Sequence, residues 1–292
     1  MSEVITPRHV ALHSAEVASG ERFEFGKNWK RFLEVLNDER IARAEQSLKS
    51  MLEIDSLAGM SFLDIGSGSG LFSLAARRLG ARVFSFDYDP ASVACTAELR
   101  RRYFPGDRDW KVEQGSALDR DYMKSLGEFD VVYSWGVLHH TGSMWRALDY
   151  ARLPVSDHGK LFLAIYNDLG SRTARWKKIK KTYNNLPKPL RLPFTLIVIA
   201  PSELKSLFRA ICTLRVGEYL RSWTQPGPQR GMSHWRDVVD WVGGYPYETA
   251  APEQIFDLYR KHGFSLLKLK CGGAGTGCNE FVFIKDGGPV LR

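Results

Sequence analysis

The chain has 292 residues, of which 44% are hydrophobic, so it can bury one large core or a core with a cap. No apolar run reaches the roughly 20 residues that span a bilayer, and the opening run MSEVITPRHVALHS lacks the apolar centre of a signal peptide. We therefore expect a cytoplasmic protein. The net charge of +8 favours an anionic partner: nucleic acid, an acidic membrane surface or a phosphorylated substrate.

The four cysteines are too widely spread for a disulfide framework, and none forms a CxxC pair. Cys271 and Cys278 flank the glycine-rich run GGAGTG, but no histidines cluster with them as a zinc site would require. We expect these thiols to be structural and the protein to bind no metal.

Residues 1–55 predict helices that lead into the core. Apolar side chains recur at helical spacing from Trp29 to Leu36 and again from Ile41 to Leu52. The aromatic run FEFGKNW at 23–29 lies just before the core, and we interpret it as a lid over a bound cofactor.

Residues 56–166 alternate between strand and helix patterns, which indicates a parallel sheet with crossover helices. The predicted strands are 61–65, 82–86, 110–113, 129–134 and 160–166. The predicted helices are 70–79, 90–103, 119–126 and 143–152.

The alternation stops at residues 167–251, for which we predict a helical cap inserted after the fifth strand. Within it, 172–191 holds eight basic residues and no acidic one. The run RWKKIKKTY carries an apolar stripe of Trp176, Ile179 and Tyr183, which is typical of a short basic amphipathic helix. Two interpretations remain open: this segment rests on an anionic membrane, or it is a cap helix packed on the core with a solvated face.

Residues 252–292 complete the predicted core. A helix at 252–262 ends at a glycine, and strands at 264–270 and 279–285 follow. The run GGAGTG then connects two strands of a hairpin and is not a nucleotide-binding turn.

A glycine-rich turn follows the first strand in the run FLDIGSGSG. Glycines at 66, 68 and 70 allow backbone angles closed to other residues and bring amides close to a ligand. Asp87 ends the next strand, 21 positions after Gly66, which is the spacing at which a carboxylate accepts hydrogen bonds from a ribose. A dinucleotide fingerprint would place its third glycine at position 71, where this chain has Leu71.

The pattern GxGxG, preceded two residues earlier by Asp64, resembles motif I of the class I S-adenosylmethionine-dependent methyltransferases. The resemblance covers residues 60–166 and 252–286. It implies an α/β fold: a Rossmann-like seven-stranded, mostly parallel sheet with an antiparallel C-terminal hairpin, to which this chain adds the cap. It also implies S-adenosylmethionine as the cofactor.

By position, the resemblance implies that the cofactor is held by ten residues: Asp64, Gly66, Ser67, Gly68, Gly70, Asp87, Tyr88, Ser116, Ala117 and Trp135. The glycines would face its amino acid and ribose parts, and Asp64 would orient its ammonium group. Asp87 would bind the ribose hydroxyls, and Tyr88 would lie on the adenine. Many family members have an acid where this chain has Ser116, so Asp119 or backbone groups would bind the adenine amine instead.

The segment FDVVYSWGVLHHT at 129–141 resembles the fourth-strand region of methyltransferases that act on small molecules, including those of quinone biosynthesis. It lacks the Asn or Asp, Pro, Pro, aromatic signature of many enzymes that methylate amino groups. A hydroxyl acceptor needs a base near neutral pH, for which histidine has the matching pKa. Our first candidate is His140 and our second is His139; the alternative is that one caps the next helix and the other faces solvent.

Further catalytic or recognition candidates lie in the aromatic, glycine-containing segment 230–248: His234, Tyr245 and Glu248. The predicted function is methyl transfer to a small-molecule or lipid-linked acceptor, at oxygen or possibly carbon. Two alternatives stay open. One is a tRNA or rRNA methyltransferase, motivated by the charge but without a separate RNA-binding module. The other is a cofactor-binding partner protein without catalysis.

Overall fold

The computed structural model describes residues 7–26, 33, 36–224, 234–273 and 277–287. Within them one sheet has the strand order β3-β2-β1-β4-β5-β7-β6. The strands are β1 (Ser61–Ile65), β2 (Arg82–Asp87), β3 (Trp110–Gln114), β4 (Phe129–Trp135), β5 (Val155–Tyr166), β6 (Phe264–Lys270) and β7 (Cys278–Lys285). Strands β1 to β5 pair in parallel, and β7 is antiparallel to both of its neighbours. The predicted fold class is confirmed.

Helices flank the sheet and precede it. They are α1 (Pro7–Ala18), α2 (Asp38–Leu52), α3 (Leu71–Arg78), α4 (Pro90–Tyr103), α5 (Arg120–Ser125), α6 (Met144–Ala151) and α11 (Pro252–Arg260). Apolar side chains of α2, α3 and α4 pack on one face of the sheet, and those of α6 and α11 pack on the other. Most of the predicted stripe from Trp29 to Leu36 lies outside the described residues.

Strand β5 begins five residues earlier than predicted. The run VSDHG at 155–159 looks like a loop in sequence because it is polar and contains glycine. In the structure Val155 pairs with Phe129 of β4, and the register shifts before Val131 pairs with Lys160. His158 takes the left-handed backbone conformation at φ 61°, so the strand is irregular where its sequence is least strand-like.

The insertion consists of helices α7 (Ser171–Asn185), α8 (Lys188–Cys212), α9 (Val216–Thr224) and α10 (His234–Gly243) in the described residues. Their shared core is built on Tyr183, Ile199 and Val242. Trp176 and Ile179, the rest of the α7 stripe, pack against this core, so the stripe serves cap packing. No helix in the described part of the chain is long and apolar enough to cross a membrane.

Lys180, one of the eight basic residues of 172–191, does not lie on a solvated face, because its side chain is buried. Its ammonium group donates to the carbonyl oxygen of Trp241. The same group lies 4.3 Å from the Trp241 ring centroid and 4.8 Å from that of Tyr247. A buried lysine thus joins α7 to α10 through a hydrogen bond and cation–π contacts.

We expect Lys180→Ala to lower the free energy of unfolding by about 2–4 kcal/mol, because it opens a cavity and leaves the Trp241 carbonyl without its donor. Lys181→Ala, at the exposed neighbouring position, should change it by less than about 0.5 kcal/mol. Urea denaturation followed by tryptophan fluorescence measures both. Equal effects of the two substitutions would contradict the structural role of Lys180.

Candidate active site

A cavity of about 1010 Å³ opens at the carboxyl ends of β1, β2 and β4. Nine of the ten residues predicted to bind the cofactor line it: Asp64, Gly66, Ser67, Gly68, Asp87, Tyr88, Ser116, Ala117 and Trp135. His140 also lines it. The crossover connections of a parallel sheet bring these segments to one edge, where ligands of open α/β sheets bind.

The glycine turn is held by β2 and requires its glycines. The amides of Gly66 and Ser67 both donate to the carbonyl oxygen of Phe86, at 2.8 and 3.0 Å. Gly66 has φ 78°, and a Cβ there would lie 2.3 Å from Cγ1 of Val137. Gly70 precedes α3 at φ 80°, where a Cβ would lie 2.9 Å from the Cα of Thr96. The turn is therefore a cradle that side chains would fill.

Asp87 accepts two backbone hydrogen bonds at the end of β2. Gly68 N donates to Oδ2 and Asp89 N donates to Oδ1, both at 2.9 Å. Burial raises the pKa of this carboxyl to about 7, and the charge of Asp89 adds to the effect, while the backbone bonds and Arg22 oppose it. A ligand that donates hydrogen bonds here would stabilise the ionised form.

Asp64 is buried at the end of β1. Ser73 Oγ of α3 donates to its Oδ2 at 2.5 Å. Burial raises the pKa of Asp64 to about 7; the bond from Ser73 opposes this shift and the charge of Asp87 adds to it. A buried carboxyl in such an environment is suited to a cationic ligand, whose charge restores ionisation.

A chain of buried polar groups supports Asp64 from below. Trp110 Nε1 donates to Ser85 Oγ at 3.0 Å, and Ser85 Oγ lies 2.7 Å from Ser73 Oγ. Indole is only a donor and a carboxylate only an acceptor, so the direction of donation is fixed: Trp110 donates to Ser85, Ser85 to Ser73, and Ser73 to Asp64. Ser73 and Ser85 were not among the predicted site residues. Their sequence signal is a serine at a buried position of an otherwise apolar helix and strand.

Arg22, which sequence reasoning also missed, joins the segment after α1 to the cavity. Its Nε donates to Glu16 Oε2 at 2.5 Å, and its NH1 group donates to the carbonyl oxygen of His140 at 3.2 Å. Its guanidinium carbon lies 4.9 Å from the centroid of the Tyr88 ring. One arginine therefore contacts the predicted adenine-binding tyrosine and the backbone of the predicted base.

The two adjacent histidines have different surroundings. His140 Nδ1 lies 2.5 Å from the carbonyl oxygen of Pro246. Since a carbonyl only accepts, this nitrogen carries the proton, and Nε2 is the basic nitrogen of the neutral ring. His139 is buried with its ring centroid 3.9 Å from that of Tyr166, and it is not among the cavity-lining residues. The cavity thus favours His140 over His139.

Of the remaining candidates, Asp119 lines the cavity, whereas Glu248 and Tyr245 are not among its described lining residues. Glu248 Oε2 accepts from the amide of Met144 at the start of α6, and the carbonyl of Tyr245 accepts from the amide of Phe23. His234 begins α10, but its side chain lies outside the description of the structure. Asp119 Oδ1 caps α5 by accepting two backbone amides. The roles assigned to these residues stay predictions.

Beyond the glycine turn, the cavity wall is aromatic. Phe25, Phe72, Tyr133, Trp135, Tyr166 and Trp241 contribute to it. The Tyr133 hydroxyl is buried and has no hydrogen-bond partner among the described residues. Burial holds its pKa well above the usual range, and the nearby charge of Asp64 adds to this, so the group is a neutral hydrogen-bond donor. In sequence Tyr133 looks like an ordinary core residue of β4.

Comparisons with known proteins agree with this geometry. A family model described as "Methyltransferase domain" matches residues 32–235, more than two thirds of the chain. A ribosomal protein L11 methyltransferase of Methylococcus capsulatus is 41% identical over 71 residues, 24% of this chain and 24% of that protein. A ubiquinone biosynthesis O-methyltransferase of Xanthomonas oryzae pv. oryzae is 32% identical over 111 residues, 38% of this chain and 45% of that protein.

The matched part spans less than half the length of either relative. Among solved structures, that of PKMT2 from Rickettsia typhi in complex with AdoHcy has a TM-score of 0.52 and 14% identity. The match covers 85% of this chain and 54% of that one. At this identity the similarity is one of fold.

We expect Gly66→Ala to weaken binding of S-adenosylmethionine, the expected cofactor, more than about tenfold, because the new Cβ displaces Val137 from the glycine turn. Gly59→Ala is the matched control: Gly59 has φ 80° but nothing within 4 Å of its Cβ position. It should cost about 1 kcal/mol of stability from backbone strain alone and keep the affinity. Calorimetric titration of both variants with S-adenosylmethionine measures the two affinities. Equal affinities would contradict the assignment of the glycine turn as the binding cradle.

We also expect the affinity for this cation to rise with pH between about 6 and 8. Asp64 and Asp87 have pKa values of about 7, so below that pH each carboxyl that must ionise weakens binding about tenfold per pH unit. The stability of the protein without ligand changes with pH in the opposite direction. A folded-state pKa above the unfolded value of 3.8 means that stability falls as pH rises from about 4 to 7.

Titration calorimetry in two buffers of different ionisation enthalpy counts the protons released on binding. Asp87→Asn should remove part of the pH dependence of stability. An affinity that stays constant from pH 6 to 8 would show that neither carboxyl titrates with binding.

Proposed function

The chain belongs to the methyltransferase domain family and uses S-adenosylmethionine, and we propose that it methylates an oxygen atom of a small-molecule or lipid-linked acceptor. The observation that carries the proposal is the hydrogen bond from His140 Nδ1 to the carbonyl of Pro246, which leaves the basic Nε2 on a cavity-lining residue.

The residues of the cavity fit this cofactor. The glycine cradle accepts a ligand without side-chain interference, and two carboxyls with raised pKa values favour a cation and a hydroxyl-bearing sugar. Asp64 would hold the ammonium group and Asp87 the ribose. When bound, S-adenosylmethionine would supply an electrophilic methyl group on a sulfonium, whose leaving group is a neutral thioether. The protein then contributes mainly by aligning the acceptor and excluding water.

His140 provides the proton acceptor that an unactivated hydroxyl needs. Its Nε2 takes the proton from the acceptor, and the resulting imidazolium is stabilised by the bond from Nδ1 to Pro246. Phe25 lies against the His140 ring at 5.0 Å between centroids, which restricts the orientation of the ring. The tautomer is therefore fixed by a contact between the fourth-strand loop and the cap.

The aromatic wall supports a planar or polyprenyl-like acceptor over a polar one. Tyr166 and Trp241 line the cavity beside His140, and their rings meet edge to face at 5.8 Å. Such surfaces bind flat or apolar groups by burying their area. The buried hydroxyl of Tyr133 adds one donor for orientation.

The test uses methyl-labelled S-adenosylmethionine with catechols, hydroquinones and polyprenyl-substituted hydroquinones as acceptors, and transfer RNA as the competing substrate. We expect label in an ether of the phenolic acceptors. Incorporation into RNA alone would favour the nucleic-acid alternative. Absence of any transfer, with S-adenosylmethionine still bound, would favour the non-catalytic one.

We expect His140→Ala to lower the turnover of a phenolic acceptor about 100- to 10,000-fold, the usual contribution of a general base. Its affinity for S-adenosylmethionine should change less than about threefold. His262→Ala is the control, because His262 Nδ1 also bonds a backbone carbonyl, at 2.8 Å, but lies outside the cavity. Turnover that survives in His140→Ala would remove the base from the mechanism.

A further inference from the structure

The cap exposes an unusual amount of apolar surface. Ten of the sixteen exposed large apolar side chains in the described residues lie within 190–220, a tenth of the chain. Ile197 and Phe208 are 72% and 69% exposed, and Leu214, in the turn between α8 and α9, is 94% exposed. A concentration of this kind marks an interaction surface, since scattered apolar residues would not cluster in two helices.

The exposed residues form a stripe along α8. Leu190, Ile197, Leu204 and Ile211 recur every seven residues, and Phe208 lies one turn from two of them. On α9, Leu220 extends the surface. We call this set of six residues the outer apolar face. The opposite side of α8 is already used, because Thr195 and Ile199 are buried in the cap.

The charge around the outer apolar face is positive. Helix α8 contains four basic residues and one acidic residue, Glu203. The Glu203 carboxylate accepts a hydrogen bond from the Tyr219 hydroxyl of α9 at 3.0 Å. Lys188, Lys205 and Arg209 are exposed beside the apolar stripe. An apolar face flanked by lysine and arginine complements an anionic lipid surface, and α8 is too polar to span it.

From this combination we infer that the outer apolar face of α8 and α9 docks the protein on a membrane containing anionic lipids. The contact overlaps the segment 172–191 predicted from sequence only at its end, at Lys188 and Leu190 of α8, because the apolar stripe of α7 is used inside the cap. Docking itself does not depend on the proposed reaction. The consequence that the acceptor is lipid-linked does rest on the proposed function.

The position of the face supports delivery from a membrane. The inner side of α8 packs through Ile199 on Val242 and Tyr183. Trp241, the residue before Val242, lines the cavity. The helix that carries the outer apolar face thus packs on the helix that places Trp241 in the aromatic wall.

The test is flotation of the full chain with vesicles of phosphatidylcholine alone or mixed with phosphatidylglycerol. We expect binding to the mixed vesicles that weakens with salt and is much lower on phosphatidylcholine alone. Ile197→Ser combined with Phe208→Ser should lower the partition coefficient about tenfold or more, because both side chains leave the apolar phase. Leu267→Ser, at a position 48% exposed on β6, is the control and should bind like the parent protein.

Binding of S-adenosylmethionine by every variant verifies that it is folded. Failure of the parent protein to float with anionic vesicles would overturn the inference, as would equal flotation of the double variant. A dimer in solution that the double substitution dissociates, without vesicle binding by the parent, would assign the face to a second copy of the chain. None of these results bears on the methyl-transfer assay, so the two proposals fail separately.

Discussion

The buried carboxyl of Asp64 is the constraint on which the sheet and the site both depend. It lies at the end of β1, its neighbour across the sheet is Ser85 of β2, and its hydrogen bond comes from Ser73 of α3. The chain of donors begins at Trp110 in β3. Three strands and a helix must therefore be in register before the carboxyl has its support. A shift by one residue would turn Ser85 to the other face and leave the group unsupported.

The hydrogen bonds of Asp64 and Asp87 do not fully offset the electrostatic cost of ionising these two carboxyls. Asp64 is buried and Asp87 is partly buried. The charge of Asp87 adds to the raised pKa of Asp64, and the charge of Asp89 adds to that of Asp87. Their described hydrogen bonds come from a hydroxyl and from backbone amides. Such donors do not carry the positive charge that would fully offset burial. A ligand with a cation at one end and sugar hydroxyls at the other meets both needs. The glycine turn between the two acids gives it room.

Sequence reasoning succeeded where the determining contacts are local. The strand, glycine turn, helix and acid between 61 and 87 follow from neighbours in the chain, and their predicted bounds differ from the structure by about one residue. It did not predict contacts between residues that are far apart in the sequence. The proton position on His140 is set by Pro246, 106 residues away. Arg22 reaches the same loop across 118 residues.

Lys180 is a further case in which the environment of a residue is set by residues far away in the chain. Its neighbours in sequence are basic and its run looks like a solvated face, yet α10 and the Tyr247 ring cover its ammonium group. Its spacing from Trp176 and Tyr183 places Lys180 on the face of the apolar stripe of α7, unlike Lys181, but α7 alone does not show that a lysine there is buried. The start of β5 is similar: the pairing of Val155 with Phe129 overrides a polar, glycine-containing sequence. Burial of an unusual residue depends on what packs over it, and that information lies in another part of the chain.

The buried lysine belongs to the helix of the cap that packs inward, whereas the exposed apolar residues lie on other helices of the cap. By binding the Trp241 carbonyl and contacting the Trp241 ring, Lys180 fixes an aromatic side chain in the cavity wall. This contact buries the positive charge of Lys180. The apolar stripe of α7 packs inside the cap, so that helix has little apolar surface left for a partner. The exposed apolar residues and their flanking bases are then found on α8 and α9. Helix α8 packs its inner side on this layer, because Ile199 is buried in one core with Tyr183 and Val242. The lysine that positions Trp241 in the cavity wall therefore belongs to the same layer of the cap on which the helix of the outer apolar face packs.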